Sequence, residues 1–116
     1  MFDFYSCNYM RYEIQKHWAK LKRISKLSDK ELKEAHYHIL SKINFINEEL
    51  ISAKNWLQAK DLVADIDVDD LDFVALVKHL KGFLWTGDKE LYNGLKAKNF
   101  KRVYTTNELV NLRKNK

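Results

Sequence analysis

The 116-residue chain contains no proline, only three glycines and a single cysteine. Proline and glycine interrupt helices and strands, so their scarcity predicts long regular elements rather than disorder. Cys7 can form no internal disulfide and has no partner at metal-ligand spacing, so we interpret it as a small apolar residue. No apolar run approaches the roughly 20 residues that span a bilayer, and the N-terminus lacks a signal-peptide layout. These absences predict a single cytoplasmic domain, residues 1–116, with no membrane partner.

The charge is unevenly distributed along a chain whose formal net charge is +5. It is +4 over residues 1–60 (11 basic, 7 acidic side chains), −5 over 61–80 (1 basic, 6 acidic) and +6 over 81–116 (9 basic, 3 acidic). An acidic centre framed by basic surface suits a polyanionic substrate whose phosphate is bridged to carboxylates by metal ions. A solvated basic face with no ligand is the alternative interpretation.

The pattern of apolar residues predicts helices that alternate with short strands. Apolar positions at helical spacing predict one helix from Tyr9 to about Leu27, and Ser28 with Glu31 forms a capping box that predicts a second helix. Strands are predicted at 42–46, 82–85 and 102–104, and further helices at 52–64, at 71–80, after the turn TGDKEL, and at 106–113. This order implies an α/β fold with a parallel sheet covered by helices on both faces.

The stretch ADIDVDDLDF, residues 64–73, contains five aspartates. A calcium loop that starts at Asp65 is excluded, because its required Gly and Glu positions hold Asp70 and Leu76. Helix capping by Asp69 or Asp70 explains part of the charge, at roughly 0.3 to 1 kcal/mol per group. The remaining carboxylates repel one another unless water or a cation neutralises them, which favours a metal site.

A further acid, Asp88, follows the predicted strand GFLW in the sequence WTGD. Ligands of parallel α/β sheets bind just beyond the carboxyl ends of the strands, so this position suits a functional carboxylate. An ordinary glycine turn with an acidic helix start is the alternative.

The stretch DIDVDDLDFVALVKHLKGFLWTGDKELYNGLKAKNFKRVYTT resembles the C-terminal half of PIN domains, which are metal-dependent nucleases acting mainly on RNA. In that family a D-x-x-D-x-x-F segment opens a buried helix, and a T-x-D turn follows the next strand. Asp67, Asp70 and Phe73 match the first pattern, and Thr86 with Asp88 matches the second. The segment NYMRYEIQKHWAKL is similar to the family helix that contributes a metal-binding glutamate, which places Glu13 in that role.

The resemblance implies a three-layer, Rossmann-like α/β fold and an acidic centre that binds Mg²⁺ or Mn²⁺. It implies that Glu13, Asp70 and Asp88 are the catalytic metal ligands, that Asp67 is a peripheral acid and that Thr86 orients water or the neighbouring carboxylate. The implied activity is hydrolysis of RNA phosphodiesters, and one implied biological role is that of the toxin in a toxin and antitoxin pair. From the residues alone, a helix-surface ion pair with Lys16 or His17 is the preferred explanation of Glu13.

The resemblance is incomplete at the N-terminus. PIN domains begin with a central strand that ends in an aspartate, whereas Asp3 has only two residues before it, too few for a strand. We therefore expect a fragment or degenerate member, with impaired catalysis and exposed sheet edges that favour a homo-oligomer or another partner. The alternative function is a noncatalytic RNA-binding or protein-interaction module. The basic residues predicted to contact RNA in either case are Lys16, Lys20, Lys96, Lys98, Lys101 and Arg102.

Overall fold

The computed structural model describes residues 2–114, which divide into two compact units. The N-terminal unit comprises Phe2–Asn47, and the C-terminal unit begins at Glu48. The two short parallel sheets found among the described residues fall one in each unit. The helices and parallel strands confirm the predicted α/β class, although the four strands pair as two separate ladders and not as one hydrogen-bonded sheet.

The N-terminal unit pairs its first and last strands around three helices. Its elements are β1 (Phe4–Cys7), α1 (Tyr9–Lys16), α2 (Trp18–Ser25), α3 (Asp29–Leu40) and β2 (Ile43–Ile46). β1 and β2 are parallel, with Phe4 opposite Ile43 and Cys7 opposite Ile46. The sequence analysis expected no strand ahead of Asp3 and predicted none after it, but β1 begins directly after Asp3: its four residues pair with the β-prone segment INFI, and Cys7 is completely buried.

The predicted helix over residues 9–27 is divided at His17, whose backbone (φ −104°, ψ 17°) leaves the helical region. α2 then ends at Lys26 in the left-handed conformation (φ 59°). The capping box that starts α3 is confirmed: the Glu31 amide donates to Ser28 Oγ at 3.2 Å, and the Ser28 amide donates to Glu31 Oε1 at 3.1 Å. Local capping therefore fixes this helix start as the sequence predicts.

The C-terminal unit is built around the buried helix α5. Its helices and strands are α4 (Ala53–Val63), α5 (Leu71–Leu80), β3 (Leu84–Trp85), α6 (Lys89–Ala97), β4 (Val103–Tyr104) and α7 (Thr106–Lys114), with 3₁₀ turns at Glu48–Leu50 and Val68–Asp70. Four consecutive α5 residues, Val74 to Val77, are buried, as expected for a helix covered on most sides. Burial of a Val or Leu side chain contributes roughly 1.5 to 3 kcal/mol, so α5 contributes substantially to the unit's stability.

β3 and β4 bring two helix starts to the same edge of the C-terminal unit. The strands are parallel, with Leu84 opposite Val103 and Trp85 opposite Tyr104. α6 begins four residues after β3, and α7 begins two residues after β4. Because parallel strands end at one edge, the segments that follow Trp85 and Tyr104 lie side by side.

No helix within residues 2–114 is long and apolar enough to cross a bilayer.

Candidate active site

Asp88 occupies the turn that joins β3 to α6. Its Oδ1 accepts hydrogen bonds from the amides of Glu90 (2.9 Å) and Leu91 (3.2 Å), so it caps α6. The Asp88 amide in turn donates to Thr86 Oγ1 at 3.0 Å, which fixes the T-x-D turn. Among the described residues, Asp88 Oδ2 accepts no hydrogen bond, and this exposed oxygen is available to a ligand.

A cleft of about 440 Å³ opens beside Asp88. We call it the Asp88 cleft; it is lined by residues 86–89, 92, 93 and 105–107. Eight of these nine residues carry a polar side chain. The cleft lies beyond the carboxyl ends of β3 and β4, where parallel sheets bind their ligands.

The far wall of the Asp88 cleft is held by a second capping box. The Glu108 amide donates to Thr105 Oγ1 at 3.2 Å, and the Thr105 amide donates to Glu108 Oε1 at 3.0 Å. The backbone bond from Thr105 and a hydrogen bond with the Tyr92 hydroxyl lower the pKa of Glu108. The same bond with Glu108 raises the pKa of Tyr92. Tyr92 of α6 is thereby tied to the start of α7.

The five aspartates of residues 64–73 have different structural roles. Asp65 pairs with Lys98, which lowers the pKa of Asp65. Asp67 caps the 3₁₀ turn by accepting the Asp69 amide at 2.9 Å. Asp70 occupies the N-cap position of α5 but its side chain makes no capping hydrogen bond. The capping bond is therefore made by Asp67, at the start of the 3₁₀ turn. The sequence suggested instead that Asp69 or Asp70 caps α5.

Asp70 and Asp72 are the two half-buried members of this group. Asp70 Oδ2 is shielded from solvent. Partial burial raises the pKa of Asp72, and the nearby negative charge of Glu48 raises it further. Carboxylate oxygens of Glu48 and Asp72 lie within 4.8 Å of each other. Glu48 is a half-exposed acid that the sequence analysis did not single out, because it lies 19 residues before the DxxD motif.

Glu13, the third predicted ligand, lies on α1 in the N-terminal unit. Its Oε2 is 3.2 Å from Nε2 of His17, one turn further along the chain. The surface ion pair that explained Glu13 without a metal is therefore present, with His17 and not Lys16 as the partner. Within the described part of the C-terminal unit, no three acidic, histidine or cysteine side chains bring ligand atoms within 4.8 Å of one another. Asp70 is not among the residues that line the Asp88 cleft.

The basic residues predicted to contact RNA differ in their availability. Lys16, Lys20 and Lys101 are exposed. Lys98 Nζ is engaged by the carbonyls of Asp61 (3.2 Å) and Leu62 (2.9 Å) at the end of α4, in addition to Asp65. Lys96 Nζ donates to the Lys101 carbonyl at 3.3 Å, and the Arg102 guanidinium lies 5.7 Å from the Phe100 ring.

Sequence analysis missed Tyr92, Asn93, Thr105, Thr106 and Asn107 as site residues. Tyr92, Asn93, Thr106 and Asn107 belong to no sequence motif that marks a binding residue. The pair Thr105 and Glu108 has the T-x-x-E form of a capping box, and this signal identifies the start of α7 from the sequence. Their common position in one cleft depends on the β3–β4 pairing.

A family model described as "PIN domain" matches residues 1–108. Neither the curated proteins nor the solved structures gave a match to the chain. The matched region contains Asp70, Asp88 and the whole Asp88 cleft.

Proposed function

The chain belongs to the PIN domain family, and we propose that it binds Mg²⁺ or Mn²⁺ through Asp70 and Asp88 and hydrolyses RNA phosphodiester bonds. Glu13, which lies in the N-terminal unit, stays a prediction of the family resemblance alone. PIN domains are generally divalent-metal-dependent nucleases, which supports the reaction class. Family membership alone does not identify the metal-binding residues or the substrate of this chain.

One observation carries this proposal: Asp88 presents an oxygen to a polar cleft while its other oxygen holds the turn in place. The two capping bonds to Oδ1 restrict the carboxylate, and the bond from the Asp88 amide to Thr86 restricts the backbone. Hard cations such as Mg²⁺ and Mn²⁺ prefer such carboxylate oxygens. Asp70 adds a second carboxylate with a solvent-shielded oxygen. Both proposed ligands therefore offer the oxygen type that the implied cation takes.

The residues of the site would then have separate roles. A bound divalent cation would lower the pKa of attacking water and offset charge on the leaving oxygen. Asp70 and Asp88 hold that cation, since a phosphodiester near two uncompensated carboxylates would be repelled. Thr86 keeps Asp88 in position through its hydrogen bond to the Asp88 amide. Mg²⁺ usually retains several waters, so a site with few protein ligands is consistent with this chemistry.

The direct test is cleavage of a single-stranded RNA with and without metal. We expect cleavage that requires Mg²⁺ or Mn²⁺ and that Asp70→Asn abolishes. Asp69→Asn is the matched control, because Asp69 is exposed one residue away and should retain activity. Cleavage that persists in EDTA, or an Asp70→Asn variant as active as the control, would refute the proposal.

A noncatalytic RNA-binding role is the second candidate, and the end of β1 favours it. β1 ends at Cys7 and is followed by Asn8, so this strand carries no aspartate at its carboxyl end, where PIN domains place their first acid. Loss of one carboxylate from the metal centre would impair catalysis and leave RNA binding. On this alternative, affinity falls with salt and no cleavage occurs.

Substitution of Lys101 is expected to affect RNA binding, whereas substitution of Lys98 is expected to affect the stability of the fold. Lys101→Ala should weaken RNA binding and leave the melting temperature unchanged, because Lys101 is exposed. Lys98→Ala should lower the stability by about 1 kcal/mol, because Lys98 bonds two carbonyls at the end of α4. RNA affinity that is equal at low and high salt would contradict the noncatalytic RNA-binding role.

An antitoxin or a second copy of the chain is a further proposed partner. In the N-terminal unit, several large apolar side chains are exposed, among them Tyr37 (78%) and Ile24 (64%). Apolar exposure of this kind favours association. Sedimentation of the purified chain tests the homo-oligomer, and a monodisperse monomer that unfolds cooperatively would exclude it.

A further inference from the structure

The Asp88 cleft is larger than metal chemistry requires. A metal and a phosphate need the Asp88 carboxylate and its surroundings, whereas the cleft of about 440 Å³ continues to Tyr92, Asn93 and Asn107. Small-molecule sites occupy roughly 300 to 1,000 Å³, so this space suits one nucleotide. The part of the cleft beyond Asp88 is therefore available to the substrate next to the reacting phosphate.

Tyr92 supplies an aromatic face whose position is fixed. It lies one turn after Lys89 on α6, so the two side chains share the helix face that lines the cleft. Its hydroxyl is hydrogen-bonded with Glu108, whose carboxylate also accepts the Thr105 amide. A half-buried ring held at its polar end suits stacking by an unpaired base, and every base offers such a face.

Asn93 and Asn107 supply the polar groups that can read a base. Both are exposed, and they line the cleft from α6 and α7 respectively. Each amide offers hydrogen-bond donors and an acceptor on one planar group. An asparagine amide matches the adjacent acceptor and donor, N7 and N6, on the Hoogsteen edge of adenine, whereas guanine offers two acceptors on that edge.

We infer that the Asp88 cleft binds one nucleotide of a single-stranded RNA, with its base on Tyr92 and its edge read by Asn93 and Asn107, and that it prefers adenine. The inference rests on the proposed function, because it places this nucleotide next to the phosphate cleaved at Asp88. A base stacked within a duplex cannot enter such a cleft, so the substrate must be single-stranded at this point.

The test is a titration of the full chain with 5′-AMP, GMP, CMP, UMP and dAMP in the presence of Mg²⁺. The NMR signals of the asparagine side-chain amides are recorded at each nucleotide concentration. We expect AMP to shift the Asn93 and Asn107 signals and to bind at least fivefold more tightly than the other three ribonucleotides. Asn93→Ala and Asn107→Ala should each reduce AMP affinity at least fivefold. Asn111→Ala, one turn beyond Asn107 on α7 and outside the cleft, is the matched control and should bind AMP normally.

Equal binding of the four ribonucleotides, signals that do not move, or an unchanged preference in Asn107→Ala would each overturn the inference. Tighter binding of dAMP than of AMP would overturn the assignment to RNA. Mononucleotide binding needs no cleavage, so the two proposals can fail separately. An inactive chain with the expected AMP preference refutes the nuclease and retains the cleft, whereas RNA cleavage without base preference does the reverse.

Discussion

The indole N–H of Trp85 donates a 2.9 Å hydrogen bond to Thr106 Oγ1. This bond joins the last residue of β3 to the first residue of α7, on the same edge as the Asp88 cleft. It acts together with the β3–β4 ladder to hold the two walls of the cleft side by side.

Thr106→Val removes the acceptor of this bond and keeps the shape of the side chain. We expect a loss of roughly 0.5 to 1.5 kcal/mol in the free energy of unfolding, the usual net value of one hydrogen bond. Urea denaturation measures this value, and Thr106→Ser, which retains the hydroxyl, is the control. Equal stability of the valine variant and the parent chain would show that the bond makes no net contribution.

Glu108 should make the C-terminal unit sensitive to acid. Its pKa lies below the ordinary value of 4.5, chiefly because its carboxylate accepts the Thr105 amide. A carboxyl group with a lowered pKa in the folded state stabilises the fold above its unfolded pKa, and this contribution disappears as the pH falls through the folded pKa. We expect the melting temperature to decline below about pH 4.5, and the decline should be shallower in Glu108→Gln. If the melting temperatures of the parent chain and Glu108→Gln fell equally below about pH 4.5, the acid sensitivity would not come from Glu108.

Gly94 allows α6 to approach the aspartate segment closely. A Cβ atom at Gly94 would lie 2.5 Å from Cδ1 and 2.8 Å from Cγ1 of Ile66, which precedes Asp67 in the chain. Such overpacking costs about 1 to 3 kcal/mol, whereas alanine in a helix is favoured over glycine by about 1 kcal/mol. We expect Gly94→Ala to destabilise the chain.

The same substitution should become stabilising, by up to about 1 kcal/mol, once Ile66 is shortened to alanine, because only the helix preference then remains. Thermal unfolding of the two single variants and the double variant measures this coupling. An effect of Gly94→Ala that is equal in both backgrounds would mean that Ile66 moves aside without cost.

Local signals and long-range pairing explain which features the sequence could predict. The starts of α3 and α4 follow from Ser28 and Ser52, because each capping bond lies within three residues. The burial of α5 follows from its continuous apolar run. β1 was missed because a four-residue strand depends on a partner about 40 residues away, and no local pattern predicts that pairing. The break at His17 was missed because the apolar spacing continues through it.

In the candidate site too, some features follow from the local sequence and others depend on the pairing of distant strands. Thr86 and Asp88 are two residues apart, so their hydrogen-bonded turn could be expected from the motif. The contributions of Tyr92, Asn93 and Asn107 could not, because α6 and α7 line one cleft only after β3 and β4 have paired. Residue identity predicted Asp88, and tertiary structure supplied the cleft beside it.

Asp88 combines a structural role with a proposed chemical role, and two substitutions separate them. Asparagine retains a side-chain oxygen that can cap α6, and it is among the best capping residues, whereas alanine has none. We expect Asp88→Asn to unfold like the parent chain in EDTA, and Asp88→Ala to lose about 1 kcal/mol.

The parent chain should gain melting temperature when Mn²⁺ is added, because a ligand that binds only the folded state stabilises it by mass action. Both Asp88 variants should lose most of this gain, although only the alanine variant is destabilised in EDTA. A full Mn²⁺ response in Asp88→Asn would show that the neutral amide serves as well as the carboxylate. Asp88 would then be a capping residue alone, and the metal centre would have to be sought at other acids, beginning with Glu48 and Asp72, whose oxygens lie within 4.8 Å of each other.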